Sequence, residues 1–350
     1  MEAGVGADGS RKRSSINFRG TEKEADFELA VMLVNAGKRV PPSSLRVKDF
    51  FTRIYLKDIE RLVEKGILAL STYKGYESDV HLYIAAPPFG DIFLSNLTVR
   101  AIKNHFLEIA SPGAAHSAWK TFRQGINYAV DDCELMEVNP LPRRIRLPEK
   151  EPYKPQLFTQ DEIKRLLAAL RGHWMEPMVL VGFGTGLRRG ELCALLRQDI
   201  NLQTGVVTVN KSLQYVDKKI IERKKTKTKK SERLVVLPTT VLNRLVEIAG
   251  AEAKIGPLVP SITDPHERMN PDLAAGYYTR FLERNGFKHV VLMNLRHTHA
   301  TIAKNKGADS FDISNALGHE NLKMGYEHYI GEQLERSRRV AQAIDEALTA

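Results

Sequence analysis

A stretch rich in proline and charge, NPLPRRIRLPEKEPYKP at residues 139–155, divides the chain into two parts. Proline lacks a backbone N–H and fixes φ near −65°, so the five prolines of this stretch exclude both a helix interior and a central strand. A chain of 350 residues also has room for about two domains of ordinary size. We therefore predict two folded domains joined by a semi-rigid linker over residues 139–156.

The residues before the linker have the pattern of a helical bundle. Apolar residues recur at steps of three and four, for example at Leu56, Ile59 and Leu62, which is typical of amphipathic helices. Short breaks that contain proline or glycine separate the helical segments. We predict a helical domain over residues 43–138, preceded by a flexible basic arm with a short helix over residues 1–42.

The residues after the linker mix two periods. Thr159 and Glu162 form a capping-box pattern ahead of an apolar helical stripe, and helical spacing returns from residue 271 onward. Between them, residues 205–237 alternate with a period of two, which predicts a small antiparallel sheet. The fold class is therefore mainly α with a small antiparallel β-sheet in the second domain, residues 157–350.

Charge and cysteine content limit the function classes. The formal net charge of +10 favours a polyanionic partner, most often nucleic acid. The apolar runs are shorter than the roughly 20 residues of a membrane helix, and the amino-terminal residues lack the pattern of a signal peptide. Cys133 and Cys193 cannot form a disulfide framework, and the Cys and His residues lack zinc-ligand spacing. We predict a cytoplasmic protein with no membrane partner and no metal.

Two segments of the second domain offer cations for phosphate binding. In TGLRRGE, residues 185–191, Arg188 can bind phosphate oxygens in a bidentate way, and Glu191 lies on the same helix face. The alternative is a surface ion pair. In KKTKTKKSER, residues 224–233, a lysine can contact a DNA backbone or protonate a leaving oxygen. The alternative is a solubilising loop.

Two later segments add an arginine, a histidine and two phenols. Arg296 in NLRHTHATI lies within an apolar helix pattern and needs an anion or a carboxylate there, so a structural salt bridge is the alternative. LGHENLKMGYEHYIG, residues 317–331, contains His319, Tyr326 and Tyr329, and either phenol can be a nucleophile or a packing residue. Together these groups can neutralise a pentacoordinate phosphorane and attack the phosphate.

The motifs TGLRRGEL, KTKKSERLVVLP, LRHTHAT and LGHENLKMGYEHY, in this order, resemble those of the tyrosine recombinases, or phage integrases. The resemblance covers about residues 45–335. It implies a C-shaped clamp in which a helical, SAM-like core-DNA-binding domain and a mixed α+β catalytic domain enclose the duplex. Because only 17 residues precede Phe18, the resemblance also implies that the arm-site domain of many phage integrases is absent, vestigial or removed by shortening.

The resemblance implies a role for each matching residue. The implied catalytic residues are Tyr329 as the nucleophile, Arg188 and Arg296, Lys227 as the proton donor (with Lys225 as the alternative) and His319, supported by Glu191. Met293 stands where the family usually has a histidine, and a thioether has no proton to give. The candidates for further DNA contacts are Lys224, Lys225, Lys229, Lys230, Arg143 and Arg144.

The implied reaction cuts and rejoins DNA through a 3′-phosphotyrosine intermediate, without ATP, metal or other cofactor. The implied partners are double-stranded attachment sites, a homotetramer on two duplexes, and DNA-bending or excisionase proteins. The implied role is integration or excision of a phage or mobile element in the bacterial nucleoid. The alternatives are a host-type recombinase, a transposase, a catalytically impaired DNA-binding relative, and a type IB topoisomerase, which the bundle and the short sheet disfavour.

The residues after Tyr329 carry an apolar stripe at helical spacing, for example Val340, Ile344 and Leu348. This stripe needs a surface that covers it. The resemblance implies docking on a neighbouring protomer in a closed ring. Packing on the same domain is the alternative.

Overall fold

The computed structural model describes most of the chain in two compact units, residues 1–152 and residues 153–350. The residues that it describes are 2–5, 11–13, 19, 25, 28–29, 32–33, 45–224, 233–251, 255–318 and 330–349. Most of the predicted arm, including much of its short helix, lies outside this set. Strands β1 (Glu2–Val5) and β2 (Arg11–Arg13) pair as an antiparallel ribbon, which the sequence pattern did not predict.

The first unit is helical from residue 47 onward. Its helices are α1 (Val47–Phe50), α2 (Leu56–Glu64), α3 (Leu70–Asp79), α4 (Val99–Leu107) and α5 (Pro112–Asp131). Turns of π-helix at Phe51–Tyr55 and Val80–Ile84 interrupt the α-helical pattern.

Aromatic packing and one buried carboxylate hold this bundle together. Phe51 stacks on Phe122 at 5.4 Å between ring centroids. Asp79 is buried and accepts hydrogen bonds from Ser117 and Thr121 at 2.8 and 2.7 Å, so α3 is tied to α5 by satisfied polar groups.

The second unit surrounds a buried helix with helices and two short ribbons. Its helices are α6 (Gln160–Ala169), α7 (Glu176–Thr185), α8 (Arg189–Ala194), α9 (Thr239–Ala251), α10 (Pro271–Arg284), α11 (Asn294–Asn305), α12 (Ser310–Leu317) and α13 (Ile330–Thr349). The predicted capping box forms at the start of α6, where Thr159 and Glu162 exchange hydrogen bonds. Every residue of α7 is buried, and between Glu176 and Thr185 its sequence is apolar on all sides.

The predicted sheet consists of two antiparallel ribbons. Strand β3 (Val206–Val209) pairs with β6 (Arg233–Val236), and β4 (Lys211–Val216) pairs with β5 (Lys219–Lys224). Asp217 and Lys218 both have positive φ, as a tight hairpin between twisted strands requires.

Helix α13 packs on its own unit, which is the alternative that the sequence left open. It contacts β6, α9, α11 and α12, and Val340, Ile344 and Ala347 on its apolar face are buried. The apolar face of α13 is thus covered within its own unit, and docking of the tail on a neighbouring protomer stays a prediction. Among the described helices, none is both long enough and apolar enough to cross a membrane.

Candidate active site

The segment TGLRRGE forms the junction between α7 and α8. Gly186 ends α7 with a φ of +63°, a left-handed conformation that glycine adopts without strain. At Gly190 a Cβ would lie 2.4 Å from the carbonyl oxygen of Leu213, so glycine is needed for α8 to lie directly on β4. The two glycines therefore fix the turn that carries Arg188.

Glu191 is the acidic centre of the site. Its side chain is 1% exposed. It accepts hydrogen bonds from the backbone N–H of Arg188 at 3.0 Å and from Arg188 Nη1 at 3.3 Å. The structure therefore brings together the two residues that the sequence paired.

Arg233 is a second partner of Glu191, and the sequence analysis did not identify it. Its Nη1 and Nη2 donate to the two carboxylate oxygens of Glu191 at 2.9 and 2.7 Å, a bidentate ion pair. Arg233 is 5% exposed. One signal was present in the sequence. In RLVV the residues at positions 233 and 235 share a strand face, so Arg233 lies on the face that buries Val235.

Arg296 lies in the first turn of α11 and is also buried. Its Nη1 donates to the carbonyl of Gly186 and its Nη2 donates to the carbonyl of Leu317, both at 2.8 Å. Burial, together with the nearby charges of Arg188 and Arg233, lowers the pKa of Arg296 to about 10. The guanidinium remains charged at neutral pH, and an incoming anion would relieve the repulsion among these cations.

The carboxyl end of α12 is where the three arginines meet. Each guanidinium donates to a different carbonyl, and the three carbonyls are consecutive in sequence. The pairs are Arg233 Nε to Ala316 O at 3.3 Å, Arg296 Nη2 to Leu317 O at 2.8 Å, and Arg188 Nη2 to Gly318 O at 3.2 Å. Helix carboxyl ends carry partial negative charge, so these contacts are favourable. They also fix the backbone that leads directly to residue 319.

Several predicted site residues lie outside the described part of the chain. They are Lys225, Lys227, Lys229, Lys230, His319, Tyr326 and Tyr329, and the side chain of Lys224 is not described either. The described neighbours mark where these segments attach. The lysine segment connects β5 to β6, and α13 begins at Ile330, directly after Tyr329. The roles assigned to these residues stay predictions.

The position of the missing histidine is exposed. Met293 has 42% of its surface accessible and precedes the first residue of α11. His297 is exposed, whereas His299 is buried and its Nδ1 lies 2.8 Å from the carbonyl of Phe183. Burial, together with the charge of Arg296, lowers the pKa of His299 to about 4, so this imidazole is neutral at physiological pH. His299 therefore links α11 to α7 through its hydrogen bond to Phe183.

Arg143 and Arg144 are exposed in the first unit, where they are free to contact a polyanion. Among the described residues, no group of three His, Cys, Asp or Glu side chains could hold a metal ion.

Comparison with known proteins assigns the chain to a family. The family model described as "Phage integrase family" matches residues 156–336. The chain belongs to the phage integrase family. The matched range contains Arg188, Glu191, Arg233 and Arg296, so the described cluster lies within the part of the chain that defines the family.

Relatives within the phage integrase family span nearly the whole chain. A "Tyrosine recombinase XerC-like" protein of Caldanaerobacter subterraneus subsp. tengcongensis is 25% identical and covers 94% of this chain and 92% of its own length. The "Integrase" of Mycobacterium phage D29 is 25% identical and covers 90% of this chain and 84% of its own length.

Solved structures of the family share the fold. The Tn1549 transposon integrase in complex with a circular intermediate DNA has a TM-score of 0.66 at 16% identity and covers 83% of this chain and 97% of its own. A lambda integrase dimer bound to a COC′ core site has a TM-score of 0.54 at 18% identity and covers 79% of this chain and 97% of its own. The predicted fold class, mainly helical with small antiparallel β-structure, is confirmed.

Proposed function

We propose that the protein is a site-specific DNA recombinase that cuts and rejoins DNA through a 3′-phosphotyrosine intermediate. The observation that carries the proposal is the arrangement of Arg188 and Arg296 around Glu191 and the carboxyl end of α12. Family membership supports the same reaction.

The two guanidinium groups are held in place before any substrate binds. Arg188 uses Nη1 for Glu191 and Nη2 for Gly318, and Arg296 uses both Nη atoms for backbone carbonyls. A guanidinium has five N–H donors, so each arginine keeps donors for phosphate oxygens. Fixed cations of this kind favour the transition state, because they need no reorganisation when charge develops on the phosphorane.

The proposed reaction has two balanced transesterification steps. The phenol of Tyr329 gives its proton to solvent as its oxygen attacks a backbone phosphorus, the P–O5′ bond breaks, and the leaving oxygen takes a proton from Lys227. His319 contacts the same phosphate. A 5′-hydroxyl from the partner strand then attacks the phosphotyrosine and returns a proton to Lys227, the bond to Tyr329 breaks, and the departing phenolate takes a proton from solvent. One phosphodiester is exchanged for another, so the reaction needs no energy source.

The proposed partners are duplex attachment sites and three further copies of the chain. The net charge of +10 suits a DNA partner, and structures with the same fold include a lambda integrase tetramer bound to a Holliday junction. We propose that the reaction integrates or excises a mobile element in the cytoplasm. DNA-bending or excisionase proteins would act on the same sites.

Covalent trapping tests the proposal. A nicked attachment site built from the DNA that flanks the gene releases a short 5′-hydroxyl fragment on cleavage, so the adduct accumulates. We expect an adduct stable in detergent with the wild-type chain and with Tyr326→Phe, and none with Tyr329→Phe. Duplex binding without any adduct in the wild-type chain would instead support a DNA-binding relative that has lost catalysis.

A further inference from the structure

Arg233 connects three parts of the candidate active site. It is the first residue of β6, where it pairs with Val209, and it directly follows the lysine segment 225–232. Its guanidinium contacts Glu191 on α8 and the carbonyl of Ala316 on α12. One side chain therefore joins the end of the lysine segment to the two helices that hold Arg188.

The guanidinium of Arg233 also lies against the turn that leads to residue 319. A Cβ built on Gly318 would be 3.1 Å from both Cδ and Nη1 of Arg233. Gly318 is left-handed, and its carbonyl accepts from Arg188. The position of this turn therefore depends on the side chain of Arg233 as well as on α12.

We propose that Arg233 is a positioning residue for the recombinase reaction proposed above, on which this inference rests. Arg233 is 5% exposed and its donors are directed at Glu191 and Ala316, so it acts through those groups instead of contacting DNA. It fixes the carboxylate that orients Arg188, and it fixes the backbone that presents residue 319.

The geometry requires arginine in particular. The bidentate pair with Glu191 and the bond from Nε to Ala316 use the planar fork of the guanidinium in two directions at once. Lysine has one ammonium group at the end of a flexible chain, so it can neutralise Glu191 without also holding the end of α12. Arg233→Lys therefore separates charge from positioning.

A second bidentate pair in the same unit, with a buried carboxylate and a half-buried arginine, supplies a control. Arg244 on α9 donates from Nε and Nη2 to the two carboxylate oxygens of Glu176 at 2.6 and 3.1 Å. The Glu176 side chain is 3% exposed, similar to Glu191. This pair makes no described contact with Arg188, Arg296 or α12. Arg244→Lys therefore imposes a comparable loss of a bidentate pair away from the site.

The experiment compares Arg233→Lys, Arg233→Met and Arg244→Lys with the full-length wild-type chain. The measurements are the single-turnover cleavage rate on the nicked DNA, the affinity for an intact duplex, and the urea midpoint. We expect Arg233→Lys to slow cleavage at least about tenfold and Arg233→Met to slow it further, because orientation of charged groups dominates such steps. Duplex affinity should stay within about threefold. Arg244→Lys should shift the urea midpoint similarly and leave cleavage within about threefold of wild type.

Equal slowing by Arg233→Lys and Arg244→Lys would overturn the proposal, because the effect would then be loss of stability alone. Amide hydrogen exchange in the last turn of α12 gives a readout that needs no activity. It should accelerate in Arg233→Met and not in Arg244→Lys, and unchanged exchange would also overturn the proposal. A wild-type chain that forms no adduct, with exchange still accelerated in Arg233→Met, would reject the recombinase function and keep the positioning role.

Discussion

At the scale of single residues, the described part of the site holds three guanidinium groups and one carboxylate. Burial and the nearby charges of Arg188 and Arg233 lower the pKa of Arg296. The negative charge of Glu191 acts in the opposite direction. The excess positive charge suits a phosphodiester, which brings a negative charge and acceptor oxygens. Glu191 therefore stabilises the arginine cluster by holding two of its guanidinium groups.

Glu191→Gln tests this balance. The amide keeps the shape of the carboxylate but removes its charge, and its NH₂ group would face guanidinium donors. Because one partner of a buried pair is lost, we expect the free energy of unfolding to fall by about 3 kcal/mol. Urea unfolding followed by circular dichroism measures the change. Unchanged stability would mean that the arginines do not depend on Glu191.

The low pKa of His299 predicts that the folded state loses stability in acid. Its pKa is about 4 in the folded chain and near 6.5 when the chain is unfolded, so the unfolded state binds the proton first as the pH falls. Stability should therefore decrease as the pH drops from about 6.5 to about 4, by up to about 3 kcal/mol.

His299→Asn isolates this contribution. The asparagine amide can replace the bond from Nδ1 to Phe183 without titrating. Urea unfolding at several pH values should show a shallower acid slope for His299→Asn than for the wild-type chain. Parallel slopes would show that His299 titrates normally in the folded state.

The sequence revealed some of these residues and not others. The spacing of Arg188 and Glu191 predicted their contact but for another reason than a shared helix face, since Arg188 precedes α8 in an extended conformation and Glu191 reaches back to it in a capping box. The burial of Arg233 was missed, because it ends a run of exposed-looking lysine and polar residues. Its role depends on strand register and on two helices that are distant in sequence, and no local pattern encodes such contacts.

At the scale of elements, α13 is fixed by polar contacts as well as by its apolar face. Ser337 Oγ accepts from the backbone N–H of Val236 at 2.7 Å. Asp345 accepts from the backbone N–H groups of Thr239 and Thr240 at 2.5 and 2.8 Å, at the start of α9. The carboxylate therefore caps a helix that is distant in sequence.

Asp345→Ala tests this arrangement. Loss of a helix cap of this kind costs about 1 kcal/mol, and the cost should appear in the urea midpoint and as faster hydrogen exchange in α13 and the first turn of α9. Glu346→Ala is the control, because Glu346 is exposed and contacts Gln342 on its own helix. Equal effects of the two substitutions would contradict packing of α13 on its own unit in solution.

The secondary-structure elements could be predicted from the sequence more completely than the surfaces against which they pack. The capping box of α6 followed from local pattern, because the spacing of Thr159 and Glu162 ahead of an apolar stripe marks a helix start. The apolar stripe of α13 predicted burial but not the covering surface, since an apolar face fits a neighbouring protomer as well as its own domain. The pairing of the strands as two separate ribbons also depends on contacts that local alternation does not encode.

At the scale of the whole molecule, the chain has two compact units, and the family match over residues 156–336 falls almost entirely in the second. The linker composition predicted a division, and the boundary between the units, at residues 152 and 153, falls inside the stretch 139–156. The domain limits that the sequence suggested stay predictions. The described arginine cluster lies within the second unit, which ends with α13.

The central claim is that Tyr329 becomes covalently linked to DNA. Peptide mapping by mass spectrometry of the adduct trapped on nicked DNA tests it most directly. The account predicts a nucleotide mass on the peptide that contains Tyr329, with fragmentation placing it on that residue. A nucleotide on Tyr326, on a histidine or serine, or on no residue of a chain that has cleaved the DNA would contradict the account.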